Sequence, residues 1–139
     1  LEANSTEDEH DCFSDNTHNS HFYNAKGIRN VYLGEYLKAD GSTLSGPSLS
    51  DLMAKADAQA DSTLKADLQA SESKLQALVD SAEKNHVHFD QLIAADNKAG
   101  QQIIRDAIAA LVTQTSAIEQ AANKLGISDL NPDTADHQF

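Results

Sequence analysis

Apolar residues recur at helical spacing along most of the chain. The clearest repeat alternates steps of four and three residues and comprises Ile104, Ile108, Leu111, Thr115, Ile118, Ala122 and Leu125. This spacing places the side chains on one face of an α-helix. Ile103 and Val112 widen that face, which is typical of a helix in a multi-helix bundle. Asp96 is the predicted N-cap of this helix, and Gly126 with Ile127 predicts a Schellman motif at its end.

A second long helix is predicted to begin after Ser48. Ser48 and Asp51 have the spacing of a capping box. The apolar stripe that follows comprises Leu49, Met53, Ala56, Ala60, Leu64, Leu68, Ser71, Leu75, Leu78 and Ala82. The steps from Ala56 to Leu68 are all of four residues, which predicts local unwinding or a bend. Residues 85–88 interrupt the pattern, and a short turn of helix is predicted over 90–95.

The first helix is predicted to run from about Asn16 to Leu37. Cap oxygens are available immediately before it, from Ser14, Asp15 and Asn16. A loop with two glycines and a proline follows over residues 39–47. No segment shows a β-strand pattern. The predicted fold is therefore all-α, an up-down helical bundle.

The bundle is predicted to occupy residues 17–127. Residues 1–16 carry six acidic residues and no Lys or Arg, and we interpret them as an acidic flexible arm. Residues 128–139 are predicted to be a polar tail. The apolar positions are rich in alanine, which favours helix but buries little area. We therefore expect further helices, from another chain segment or from self-association.

The net charge, the lack of a long apolar run and the first residue of the chain restrict what this protein can bind and where it can act. The net charge of −12 argues against nucleic acid, because the chain cannot neutralise a row of phosphates. No apolar run approaches the roughly 20 residues that span a bilayer. The chain begins at Leu1 rather than Met, which indicates a processed end, a remnant of cloning or a cleavage product, and which is compatible with secretion. Cys12 is the only cysteine, so no disulfide forms within the chain.

One face of the first predicted helix is unusually polar. Steps of three and four residues along it give His18, His21, Ala25, Ile28, Tyr32 and Glu35. Unpaired charge is costly to bury, so this face predicts either a solvated surface or the wall of a site. Helical bundles build metal sites from inward-facing side chains. His18 and His21, three residues apart, can share a metal ion. The residues alone leave both interpretations open.

Several segments resemble the C-terminal half of the imelysin family. The strings that carry the resemblance are CFSDNTH at 12–18, GIRNVYLG at 27–34, FDQLIAADN at 89–97 and KLGI at 124–127. The resemblance implies a fold of two helical bundles with a site between them. It also implies export to the bacterial periplasm, often with a lipid anchor at the outer membrane. The family is linked to iron uptake or iron regulation and is classed with metallopeptidases.

The family's metal motif is GxHxxE, and none of the six histidines here is followed by Glu at the third place. The resemblance therefore implies that this chain is the C-terminal part of the protein. Its expected partner is the N-terminal half of the same protein, which carries GxHxxE. The expected cofactor is a divalent metal, iron or zinc.

The family signature is matched by Asp15, Asn16, His18, Arg29 and Tyr32, which are predicted to line the pocket between the bundles. Arg29 is the predicted partner of an anion or carboxylate. The predicted metal ligands on this chain are His18, His21 and Glu35, the last two from helical geometry alone. No residue is assigned a catalytic role.

Three functions follow as hypotheses. The first is an exported metal-binding protein linked to iron uptake or regulation. The second is a metallopeptidase with a zinc-type mechanism, in which a metal-bound water attacks a peptide carbonyl. The third is a purely structural helical interaction module.

Overall fold

Three long helices and a small β-hairpin make up most of the protein. The computed structural model describes residues 5–128. Its elements are α1 (Thr17–Leu33), β1 (Glu35–Leu37), β2 (Thr43–Ser45), α2 (Leu49–Ala56), α3 (Ala58–Asn85), α4 (Phe89–Ile93) and α5 (Lys98–Lys124). No helix among residues 5–128 is long and apolar enough to cross a membrane.

Helix α3 lies at the centre and packs against both α1 and α5, which make few contacts with each other. Ion pairs fix the antiparallel arrangement: Arg29 Nε lies 3.5 Å from Glu72 Oε2, and Lys74 Nζ lies 3.2 Å from Asp106 Oδ2. The prediction of an up-down, mainly helical fold is therefore confirmed. That this bundle is one half of a two-bundle protein stays a prediction.

Helix α1 ends four residues earlier than predicted, and a hairpin follows where no strand was expected. Gly34 terminates the helix in the left-handed region at φ 63°, and its N–H donates to the carbonyls of Asn30 and Val31. Tyr36 then pairs with Leu44 at the centre of a two-stranded antiparallel sheet. The N–H of Gly46 donates to the Gly34 carbonyl at 3.0 Å, so the two ends of the hairpin segment lie next to each other.

The irregular apolar spacing after Ala56, which predicted local unwinding or a bend, corresponds to a break between two helices. Asp57 separates α2 from α3 with an extended backbone, and its side chain accepts hydrogen bonds from the N–H groups of Gln59 and Ala60. Asp57 therefore caps α3 where the apolar stripe loses its heptad spacing. The predicted capping box at the start of α2, in which Ser48 and Asp51 each accept the other's N–H, is also confirmed.

The third long helix occurs as predicted, but it faces the bundle differently. Its N-cap is Asn97 rather than Asp96, and the Schellman motif at Gly126 is present, with the Ile127 N–H donating to the Ala122 carbonyl. Its buried side chains are mainly small or polar, namely Gln101, Ile104, Ala107, Gln114, Ala117, Ala121 and Ala122. Ile108 is half exposed and Thr115 is exposed, so the predicted stripe is wrong there. Alanines on the inner face allow α5 to approach α3 closely.

The buried apolar side chains form two separate clusters. The first core cluster comprises Phe22, Ala25, Leu75, Leu78, Val79, Phe89, Leu92, Ile93, Ile104 and Ala107. The second core cluster comprises Tyr32, Met53, Leu64, Leu68, Ala117 and Ala121. The first cluster supports the end of the bundle where α1 begins, and the second supports the end near the hairpin and α2.

A buried carboxylate joins α1, α2 and α3. Asp61, only 5% exposed, accepts hydrogen bonds from the hydroxyls of Tyr32 (2.8 Å) and Ser50 (2.7 Å) and from Lys65 Nζ (2.8 Å). Burial alone raises the pKa of Asp61, but the hydrogen bonds from Lys65, Ser50 and Tyr32 outweigh it and hold the pKa below its usual range. Burial and the Asp61 contact raise the pKa of Tyr32.

The terminal segments are described only in part. Of the predicted arm, residues 5–16 form turns, and the N–H of Asp11 donates to Thr17 Oγ1 at 2.9 Å. That the arm is flexible stays a prediction. The predicted tail lies outside the described residues except for its first residue, Ser128.

Replacing Asp61 with alanine is expected to lower the free energy of unfolding by about 3 kcal/mol, because two buried hydroxyls lose their acceptor. The matched control is Asp67→Ala on the same helix, where a change of about 0.5 kcal/mol or less is expected. Urea unfolding followed by circular dichroism measures both. Equal losses in the two variants would show that the Asp61 network does not stabilise the bundle.

Candidate functional site

Four of the six histidines gather at the end of the bundle where α1 begins. We call this region the histidine end, and its residues are His10, Asp11, Asp15, His18, His21 and His88. They come from the turns before α1, from α1 itself and from the junction between α3 and α4. The first core cluster adjoins the histidine end, since the ring centroids of Phe89 and His21 are 5.5 Å apart.

Two residues in left-handed backbone conformations shape this end. Asp15 has φ 53° immediately before α1, and His86 has φ 56° at the end of α3. Asp is among the few residues other than glycine that adopt this region readily. Both turns redirect the chain sharply, which brings the segment before α1 next to the α3–α4 junction.

His88 and Asp15 form the most direct contact between these two segments. His88 Nδ1 lies 3.0 Å from Asp15 Oδ2, across 73 residues of sequence. His88 is also the N-cap residue of α4, and its N–H donates to Gln91 Oε1 at 3.0 Å. The imidazole is therefore held at both its ring and its backbone. A carboxylate on one ring nitrogen is a common support for a histidine that binds a metal.

His18 is the most buried histidine, only 5% exposed. Its ring lies edge-on to that of His88, with 5.6 Å between the ring centroids. Nε2 is 3.2 Å from the amide nitrogen of Asn19, whereas Nδ1 is buried and has no hydrogen-bond partner among the described residues. A buried polar atom without a partner is uncommon and destabilising, so this nitrogen needs an explanation, such as a water molecule or an ion bound to it.

His21 stacks on His10 at 5.6 Å between ring centroids. Burial lowers the pKa of His21, and the neighbouring His10 lowers it further, whereas Asp11 opposes both. Asp11 in turn accepts a hydrogen bond from the Ser20 hydroxyl. The segment before α1 is thus attached to the helix by a ring stack and by a carboxylate.

The surroundings of Cys12 do not favour a thiolate nucleophile. Partial desolvation raises the pKa of the Cys12 thiol, and the carboxylates of Glu9 and Glu7 raise it further. Cys12 is exposed. It stays protonated at neutral pH, where a thiol is a weak nucleophile.

The histidine end is acidic and does not by itself complete a metal site. Across residues 5–128, no three His, Cys, Asp or Glu side chains converge closely enough to hold an ion. His18, His88 and Asp15 nevertheless include a buried nitrogen with no partner and a histidine supported by a carboxylate. These residues fit part of a ligand set, and the remaining ligands would have to come from another segment.

Comparison with known proteins identifies the family. The family model for imelysin, a peptidase family, matches residues 1–118. The chain belongs to the imelysin family. A search of curated proteins found no match. The imelysin resemblance drawn from the sequence strings at 12–18 and 27–34 is therefore confirmed.

The predicted pocket residues of this imelysin chain do not lie together. Asp15, Asn16 and His18 share the histidine end, where Asn16 Oδ1 accepts a hydrogen bond from the Asn19 side chain instead of capping α1. Tyr32 lies fourteen residues further along α1, about 20 Å away at the usual helical rise. Whether the first three line a pocket between two bundles stays a prediction.

Arg29 and Tyr32 point to other roles. Arg29 pairs with Glu72 of the same bundle, and its role as the partner of an anion in a pocket between bundles stays a prediction. Tyr32 is buried and donates to Asp61. Both contacts lie between α1 and α3, so the structure gives these two residues contacts that hold the bundle together.

The proposed ligand set of His18, His21 and Glu35 needs correction. Glu35 lies in β1, beyond the end of α1, and its side chain is exposed. It is at the opposite end of α1 from both histidines, so the three cannot share one ion. The error arose because residues 35–37 continue the helical spacing of α1 although Gly34 ends the helix.

His88, His10 and Asp11 were missed as members of the site. In the sequence, His88 belongs to the segment 85–88, which was noted only because it interrupts the helical pattern. Its proximity to Asp15 depends on the antiparallel packing of α1 on α3, which local sequence does not show. The acidic turn at Asp11 also lacks any sequence signal for its contacts with α1.

The stack between His10 and His21 predicts a specific titration. His10→Ala is expected to raise the pKa of His21, because a neighbouring positive charge is removed. Asp11→Asn is expected to lower it, because the opposing negative charge is lost. NMR titration of the imidazole signals measures both shifts. A His21 signal unaffected by either substitution would show that the three side chains do not interact in solution.

Proposed function

We propose that this chain is the C-terminal part of an exported, imelysin-like metal-binding protein linked to iron uptake or regulation. The observation that carries the proposal is the buried Nδ1 of His18, which has no hydrogen-bond partner among residues 5–128, in a ring that lies 5.6 Å from the ring of the Asp15-paired His88. The metal would be a divalent ion, iron or zinc. Imidazole suits both, and adjacent carboxylates favour any cation.

His18 and His88 are the residues of this chain that would hold the ion. Asp15 would orient His88 and increase the basicity of its ring. Ligation through Nδ1 of His18 leaves hydrogen on Nε2, so the Asn19 amide would have to present its oxygen there. The ion would act as a Lewis acid. If it is iron, it could instead be the cargo that the protein binds. Asp15 replaces Glu35 as the carboxylate in this proposal.

The remaining ligands would come from the N-terminal half, which is expected to carry GxHxxE. An apolar groove supports such a partner. It has a volume of 620 Å³ and lies between α1 and α5, above α3. Its lining is mostly aliphatic and includes Ile28, Val31, Leu64, Leu68, Ile118 and Leu125. Large apolar grooves open to solvent usually mark protein interfaces, so helices of the other half would complete the bundle.

The periplasm or the outer membrane is the proposed location. Its support is membership of the imelysin family. The iron linkage has the same support. The imidazole and carboxylate groups at the histidine end agree with a cation-binding role.

Metal binding is tested on the complex of this chain with the N-terminal half, by isothermal titration with Zn²⁺ and, without oxygen, with Fe²⁺. His18→Asn and His88→Asn are each expected to weaken binding by about 10- to 100-fold or more. His86→Asn is the matched control, because it removes a histidine from the same junction and Asn tolerates the left-handed backbone. It is expected to leave affinity unchanged.

Two outcomes would contradict the proposal. If the native complex binds neither ion, the metal-binding function is wrong. If all three variants bind as the native complex does, the assignment of His18 and His88 is wrong. Glu35→Gln is a further control and is expected to bind normally, since Glu35 lies at the other end of α1.

Peptidase activity is the second candidate function, favoured by family membership itself. It requires a metal-bound water and a general base. We expect chelator-sensitive cleavage of a denatured protein substrate by the complex of both halves, with loss of activity when His and Glu of GxHxxE are replaced. Cleavage that survives those replacements would be due to a contaminant and would reject this function.

A further inference from the structure

A layer of polar side chains crosses the bundle between the two core clusters. We call it the polar layer, and its members are Arg29 on α1, Ser71 and Glu72 on α3, and Gln114 on α5. Each of the three long helices contributes to it. The layer lies near the middle of the bundle, away from both the histidine end and the hairpin.

The order of residues along each helix places the layer between the clusters. On α3, Ser71 and Glu72 lie between Leu68 of the second cluster and Leu75 of the first. On α1, Arg29 lies between Ala25 of the first cluster and Tyr32 of the second. On both α1 and α3, polar residues therefore lie at the point where the buried side chains change from one core cluster to the other.

Helix α5 shows the same arrangement. Gln114 follows Leu111, which packs on the first cluster, and precedes Ala117 of the second. Gln114 is only 3% exposed. A glutamine at such a position interrupts apolar packing that would otherwise run the whole length of α5.

Several polar atoms of the polar layer lack hydrogen-bond partners among the described residues. Ser71 Oγ, Glu72 Oε2 and Gln114 Oε1 are buried and have no hydrogen-bond partner among the described residues. Arg29 lies within ion-pairing distance of Glu72, but the contact does not have hydrogen-bond geometry. Polar groups buried without partners lower stability, so the apolar packing between the helices is interrupted at this level, where the Arg29–Glu72 ion pair is the contact between α1 and α3.

We propose that the polar layer divides the bundle into two units that open separately. One unit contains the first core cluster, α4 and the histidine end. The other contains the second core cluster, α2 and the apolar groove between α1 and α5. The histidine end can then rearrange around a bound group while the groove stays packed. This inference does not depend on metal binding.

Hydrogen exchange followed by mass spectrometry tests the division, with one substitution in each cluster. Leu64→Ala in the second cluster is expected to speed exchange by about thirtyfold or more in residues 58–68 and 114–124. Exchange in residues 75–85 and 98–107 is expected to stay within about twofold of the native rate. Leu78→Ala in the first cluster is expected to give the reverse pattern.

Faster exchange throughout all four segments in both variants would overturn the proposal, because the bundle would then open as one unit. If the alanine variants do not fold, Leu64→Val and Ile104→Val apply the same test with smaller perturbations. The prediction for them is again acceleration confined to the cluster that carries the substitution.

Replacing two members of the polar layer provides an independent test. In the double variant Ser71→Ala with Gln114→Leu, which keeps the Arg29–Glu72 pair, the added Leu64→Ala substitution is expected to speed exchange in both clusters, because apolar packing between α3 and α5 becomes continuous. The matched control replaces Gln114→Leu with Thr113→Leu, at the neighbouring exposed position of α5. Confinement of exchange to one cluster in the variant that lacks Ser71 and Gln114 would show that these two side chains are not what separates the clusters.

Discussion

The carboxylate of Asp61 is the contact on which the arrangement of α1, α2 and α3 depends. It accepts hydrogen bonds from the ends of all three elements, although it lies in the interior where a lone charge is costly. Because Tyr32 is the penultimate residue of α1, this contact fixes the helix end just before Gly34. Because Ser50 is in the first turn of α2, the same contact fixes where the chain returns after the hairpin.

Much of the fold was predictable because helical periodicity and caps are local signals. The capping box at Ser48, the Schellman motif at Gly126 and the break near Asp57 all follow from residues a few positions apart. The hairpin was not predictable in this way, since residues 35–37 keep the spacing of α1. Which face of α5 is buried was also missed, because large apolar side chains at Ile108 and Val112 outweighed the alanines that contact α3.

The site was predictable only in part, for a similar reason. The resemblance to imelysin drew attention to Asp15 and His18, which are three residues apart in the sequence. Helical spacing suggested Glu35, although distance along the helix axis excludes it. His88 reaches Asp15 only through tertiary packing across 73 residues. Residues that match a family string can also serve the fold, as Arg29 and Tyr32 do between α1 and α3.

The closed base of the hairpin has a practical consequence for engineering. Gly34 and Gly46 are joined by a backbone hydrogen bond, so residues 35–45 leave and re-enter the chain through one narrow neck. A loop whose two ends are held together in this way tolerates insertions, because a longer loop does not change the positions of the flanking helices. An epitope or a fluorescent reporter grafted there would stand at the opposite end of α1 from the histidines. It would therefore lie far from the proposed metal site.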